Sequence, residues 1–195
     1  VPALVGPVAV VAAALVVSGA FKLADPGPSG DMLAALRLPR SPWAGRALGL
    51  GEVLLGGTTL AVGGWAAGAV AALYLGFAAV MARLVLLGDE APSCGCFGRL
   101  SARPTWVHVA ADAGAALVAG VGAAQGVPGL VEALGEPPLA GLPLLGFVGL
   151  GTWALVAVLT LLPDTLAAVR HAPPSGGEVR TFHLVDRPDP SGAPR

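Results

Sequence analysis

The chain has 195 residues, 55% of them hydrophobic and only 12% charged, with 29 glycines and a mean hydropathy of +0.77. A soluble domain is about one-quarter charged, so this composition excludes a soluble enzyme and points to a membrane protein. The net charge of -1 says nothing by itself about partners, because in a bilayer the placement of charges along the chain is what matters; no nucleic-acid partner is expected.

A spanning helix needs about 20 mostly apolar residues, and five runs qualify: Val1 to Phe21, Ala47 to Gly63, Trp65 to Leu87, Trp106 to Ala124 and Leu139 to Leu162. The first also carries a small-residue "SGA" at 18–20, as at a signal-peptide cleavage site, but no basic residue precedes it, so it is read as a span. Between the first two runs, "DMLAALRL" (31–38) predicts a short amphipathic helix. "GGW" (63–65) is too short for anything but a tight turn, which makes the second and third helices antiparallel neighbours. The cysteine loop follows the third run, and "QGVPGLVEALGEPP" (125–138) the fourth. Glycine and alanine crowd the spans, as in "GLGEVLLGG", a signal of close helix packing in lipid. The Pro-, Gly- and Ser-rich tail is expected to be largely disordered, although "EVRTFHLVD" (178–186) alternates weakly like a strand.

Threading five spans alternately puts the 22–46 segment, the cysteine loop and the C-terminal tail on one side. All eleven Lys and Arg fall there, while the other side carries Glu132 and Glu136. By the positive-inside rule the basic side is cytoplasmic and the N-terminus outside. The cysteines then face the compartment where thiols are normally kept reduced.

Ionisable groups within spans are costly and have a partner or a task. Glu52 lies in the second helix, Asp112 in the fourth with His108 one turn away on the same face, Arg83 near the end of the third, and Lys22 closes the first. One reading pairs Glu52 with Lys22 or Arg46, and Asp112 with His108 or Arg103, to neutralise buried charge; Arg83 reads as an interfacial, snorkelling side chain. The other gathers a polar cluster beneath the cysteine loop.

The only two cysteines, Cys94 and Cys96, stand in "APSCGCFGRL" (91–100). They are too few for a disulfide framework, and no Cys/His set has zinc spacing, so no metal centre is expected. Thiols two residues apart close a small strained ring that the central glycine permits, and strain makes such a disulfide easily exchanged. Nearby Lys22, Arg83 and Arg99 favour the reactive thiolate. Two bland alternatives remain: small residues in a turn, or soft ligands of an incomplete metal site.

The run "SGAFKLADP" (18–26), the glutamate of "GLGEVLLGG", the arginine late in the third helix and "CGCFG" (94–98) together resemble the MauE/DoxX family of redox-associated membrane proteins. The resemblance covers roughly residues 1–125 and implies an all-α fold: a four-helix membrane domain, here followed by a loop and fifth transmembrane helix (126–163) and a polar tail (164–195). It also implies a thioredoxin-like partner and the maturation of a disulfide-rich client. By that similarity Cys94 and Cys96 are the redox pair, with Lys22, Glu52 and Arg83 the accompanying catalytic positions and Glu52 managing protons. The leading expectation is therefore a membrane thiol–disulfide oxidoreductase. Two others stay open: a non-catalytic membrane subunit of a larger complex, and a disulfide-generating protein coupled to a quinone.

Overall fold

The computed structural model describes residues 2–88, 91–98, 102–135 and 138–171. They form seven helices, α1 (Pro2–Ala24), α2 (Gly27–Ala35), α3 (Pro42–Val62), α4 (Trp65–Leu87), α5 (Trp106–Ala124), α6 (Leu130–Ala133) and α7 (Pro138–His171). Among the described residues there is no strand, only an isolated bridge between Gly63 and Pro128. The protein is an all-α membrane helical bundle. Four helices, Ala3–Ala24 within α1, α4, α5 and Gly141–Leu162 within α7, are long and apolar enough to cross a membrane.

The remaining long helix, α3, has 21 residues, about 30 Å at 1.5 Å per residue. Glycines, threonines, Arg46 and Glu52 dilute its apolar character. Its depth is set instead by antiparallel pairing with α1. A Cβ added at Gly49 would stand 2.7 Å from the Gly19 carbonyl oxygen, one at Gly56 2.6 Å from that of Ala12, and one at Gly45 3.1 Å from that of Pro26. Gly45, Gly49, Glu52, Gly56 and Thr59 are the buried residues of α3, a stripe at helical spacing that lets the two backbones touch. A side chain at Gly49 or Gly56 would force the two helices apart.

The glycine stripe also decides which helices pack. α3 and α4 are joined by the left-handed glycines Gly63 (φ 60°) and Gly64 (φ 53°), the tight turn expected of "GGW". Yet the two most extensive contacts are α1 with α3 and α4 with α5. Leu15 and Val11 of α1, Val70 and Tyr74 of α4, and Ala115, Ala116 and Ala119 of α5 form the central core. Tyr74 fixes that packing by donating its hydroxyl to the Val11 carbonyl at 2.9 Å.

Two helices depart from the expected boundaries. The amphipathic helix begins at Gly27 rather than 31, because Pro28 sits in the first turn, where a missing amide hydrogen costs nothing. The last helix runs to His171, beyond the apolar run that ends at Leu162; "DTLAAVRH" is polar enough to leave lipid but still rich in good helix formers. The tail from 172 to 195, with its strand-like "EVRTFHLVD", lies outside the described residues.

The two ends of the bundle are distinct. At one end α2 and the 91–98 segment lie together, joined by a Ser29 to Gly95 hydrogen bond. At the other, Gly64 donates to the Val127 carbonyl, bringing the "GGW" turn to the 125–138 connection. All four tryptophans are exposed. Trp43 and Trp106 open α3 and α5 at the cysteine end and Trp65 opens α4 at the other, the arrangement of an aromatic belt at two interfaces.

Candidate functional site

The "CGCFG" loop is shaped by its glycines. Gly95 (φ 69°) and Gly98 (φ 56°) both adopt the left-handed conformation that costs other residues energy. A Cβ on Gly95 would also stand 3.1 Å from the Pro28 carbonyl oxygen and 3.2 Å from the Ser29 Cα, so α2 lies directly against the loop. The Cys94 amide closes the loop on the Ala102 carbonyl at 3.1 Å. Cys94 is buried among Met32, Met81 and Leu84, and Phe97 is seated edge-on against Phe21, ring centroids 6.1 Å apart.

A chain of polar contacts runs from the bundle interior to this loop. Lys22 and Glu52, at most 2% exposed, form an ion pair in which Nζ lies 2.9 Å from both carboxylate oxygens. The same ammonium donates to Ser18 Oγ at 2.6 Å, and Ser18 donates to the Cys96 carbonyl at 3.0 Å. The polarity is fixed, because an ammonium only donates, so the single Ser18 proton is left for the carbonyl. Ser29 holds the neighbouring Gly95 carbonyl at 3.1 Å. Nζ also stands 5.5 Å above the Phe77 ring, a cation–π contact. The pair thus serves the loop through Ser18, rather than touching a cysteine.

The cysteines are free, Cys94 buried and Cys96 half-buried. The Cys96 thiol turns back toward Cys94, 3.7 Å from its carbonyl oxygen and within hydrogen-bonding reach of its sulfur. That donated bond, helped by His108 and opposed by burial, holds the Cys94 thiol well below its ordinary range. Cys96 is pushed the other way, first because it gives its hydrogen to Cys94 and then because it is buried. The two shifts are opposite in sign, so Cys94 is the sulfur that more readily carries a thiolate.

His108 is positioned from two directions. Its Nδ1 receives the Thr105 amide at 3.3 Å and lies 3.0 Å from the Thr105 hydroxyl, as the third residue of a capping box at the start of α5. Its Nε2 lies 3.1 Å from the Leu159 carbonyl of α7. That carbonyl is available because the residue four positions on is Pro163, which has no amide hydrogen to close the helical bond. An amide donates and a carbonyl accepts, so the neutral imidazole carries its proton on Nε2.

Beneath Cys96 lies a cavity of about 30 Å³, lined among others by Ser18, Tyr74, His108, Asp112 and the α7 residues Leu155 and Leu159. A volume of that size accommodates a water or two. Glu52 does not line it.

Of the five residues expected at the site, Cys94 with Cys96 and Lys22 with Glu52 are brought together as two pairs. Arg83 is exposed, off the buried stripe of Val70, Tyr74, Met81 and Leu84 on α4. Arg46 lies over Trp43 instead of reaching Glu52. Arg99 lies outside the described residues. Ser18 and Ser29 were not expected; small residues in a glycine-rich span read as packing. Asp112 and His108 were legible as buried polar residues near the cysteine end, and the structure sets both on the cavity that Cys96 lines.

No curated protein and no solved structure matches the chain. The family model of methylamine utilisation protein MauE matches residues 2–125, which takes in α1 to α5, both polar pairs and the whole "CGCFG" loop, and leaves α6, α7 and the tail beyond it. On that match over most of its length, the chain belongs to the MauE family of membrane proteins.

Proposed function

We propose that this protein is a membrane thiol–disulfide exchange protein whose working pair is Cys94 and Cys96, acting with a thioredoxin-like partner or a disulfide-containing client. The observation that carries the reading is the division of labour within the pair: a buried Cys94 sulfur beside a half-buried Cys96 thiol that turns back toward it. Cys96 gives up its proton and attacks a partner disulfide as thiolate, forming a mixed disulfide and releasing the first partner sulfur as thiolate. Cys94 then attacks the Cys96 sulfur, which closes the intramolecular disulfide and releases the second. The pair is oxidised by two electrons, the partner disulfide is reduced to a dithiol, and the steps run in reverse with an oxidised pair.

The asymmetry makes the test specific. When the reduced full-length protein in detergent is mixed with 4,4′-dithiodipyridine, the wild type should release two thiopyridones and end with an internal disulfide. Cys94→Ser should release one and keep a pyridyl mixed disulfide on Cys96, and in cells the same variant should hold a thioredoxin-like protein covalently. Cys96→Ser should react far more slowly, since its remaining thiol is buried. A wild type that ends with two pyridyl adducts and no internal disulfide would exclude exchange and favour a structural subunit.

For orientation, the reading that all eleven basic residues share one side places the cysteine end in the cytoplasm. In a background lacking both native cysteines, Arg103→Cys should resist a membrane-impermeant maleimide in intact cells. Val131→Cys, exposed at the opposite end, should react at once. The opposite pattern reverses the orientation.

A further inference from the structure

Exchange needs each sulfur in turn as a thiolate, and the half-buried Cys96 thiol must lose its proton before it attacks. One proton therefore has to leave the pair before exchange is complete, and the groups around the cavity decide where it goes. The His108 imidazole is held by Thr105 at Nδ1 and faces the Leu159 carbonyl at Nε2, and the sulfur it acts on is Cys94, not Cys96. Tyr74 donates to Val11 and offers no basic atom. Glu52 is committed to Lys22 and lies off the cavity. Asp112 lines the cavity with Cys96, is 9% exposed, and its carboxylate accepts no hydrogen bond from another group among the described residues.

We infer that Asp112 is the proton acceptor of the cysteine pair, taking the Cys96 proton directly or through a cavity water. The inference rests on the exchange reading above. The step balances: the Cys96 S–H bond breaks, an O–H bond forms on Asp112, and the sulfur keeps the electron pair with which it attacks the partner disulfide. The proton later passes to a departing partner thiolate. No further oxidant is needed, since the partner disulfide takes the two electrons. Among the described side chains, the charged and titratable groups facing Asp112 are His108 on its own helix, Cys94 and Cys96 from the loop, Lys22 from α1, Glu52 from α3 and Tyr74 from α4; from α7, Leu155 and Leu159 line the cavity.

A base and a mere neighbouring charge predict opposite results. As a fixed negative charge Asp112 opposes the Cys96 thiolate, so Asp112→Asn would then speed reaction. As the acceptor, its loss should slow the first thiopyridone release from the reduced full-length protein at neutral pH by about a hundredfold. Meanwhile the pH midpoint for alkylation of Cys96 should stay level or fall. Asp112→Glu, which keeps a carboxylate in the cavity, should restore most of the rate and covers the case in which the asparagine variant fails to fold. Release that is unchanged or faster in a folded Asp112→Asn protein, or an Asp112→Glu rate no better than that of asparagine, would overturn the assignment. Because wild-type release of two equivalents is read in the same assay, failure of this inference is distinct from failure of the exchange reading.

Discussion

Replacing Lys22 with methionine should destabilise the protein by about 3–5 kcal/mol, the cost typical of leaving one member of a buried ion pair unpaired. The size follows from the burial of both partners, at most 2% exposed, and from the close α1–α3 contact at Gly19 and Gly49 that seals them from water. With the ammonium gone, the Glu52 carboxylate has no cation beside it and must either take up a proton or open the helix pair. The double variant Lys22→Met with Glu52→Leu should recover most of that loss, because two apolar side chains of similar size carry no desolvation penalty. Denaturant unfolding in detergent, run as a double-mutant cycle, measures both. Exchange activity should not recover with stability. Ser18 would have lost the ammonium that orients it, and with it the hold on the Cys96 carbonyl. A Lys22→Met protein within about 1 kcal/mol of wild type, a surface-pair value, or a double variant with full exchange would show that the pair does not support the loop.

Titration of the reduced protein should show one thiolate that persists far into the acid range. Cys94 is held down to about 4 by the hydrogen bond from Cys96 and by His108, against about 8.5 for an ordinary thiol. The sign is fixed because the Cys96 hydrogen bond and the neighbouring His108 both favour the anion, so the thiolate survives as pH falls and is lost only near the lowered value. Ultraviolet thiolate absorbance of the reduced wild type should therefore change little between pH 8 and pH 6, where an ordinary thiol would be protonating. Cys96→Ala removes the largest contribution and should move the transition upward by several units, toward the ordinary value. His108→Ala should move it less. Absence of an acid-range thiolate in wild type, or an unshifted transition in Cys96→Ala, would remove the division of labour on which the exchange reading rests.

The pairing of Lys22 with Glu52 shows what a sequence states about a buried charge. Two ions of opposite sign in apolar runs, each a short distance from the same end of its helix, have few ways to avoid the desolvation penalty. The choice between Lys22 and Arg46 as partner was open, and packing made it: the glycine stripe brings α3 against α1, and Arg46 turns outward over Trp43. Arg83 shows a different failure. It shares its end of the bundle with the cysteines, but helical periodicity puts it about 100° from Leu84 and 200° from Met81, which are buried while it is exposed. The same arithmetic, applied along α4 from Val70 and Tyr74, would have set it outside the site.

The sequence by itself determined the solvent and the helices, and it singled out the two thiols. Apolar runs of spanning length dictate a membrane bundle because buried backbone must satisfy its own hydrogen bonds, and two cysteines around one glycine name the only sulfur chemistry available. Tertiary structure alone decided which polar groups serve those sulfurs. Ser18 becomes a link because α1 passes beneath the loop, and His108 gains a donor role because Pro163, 55 residues further on, leaves the Leu159 carbonyl free. Asp112 meets Cys96 only across a cavity that α1, α4, α5 and α7 close together. Such contacts depend on helix rotation and crossing, which are set by small differences in packing between helices of nearly the same composition, and local residue patterns do not encode them.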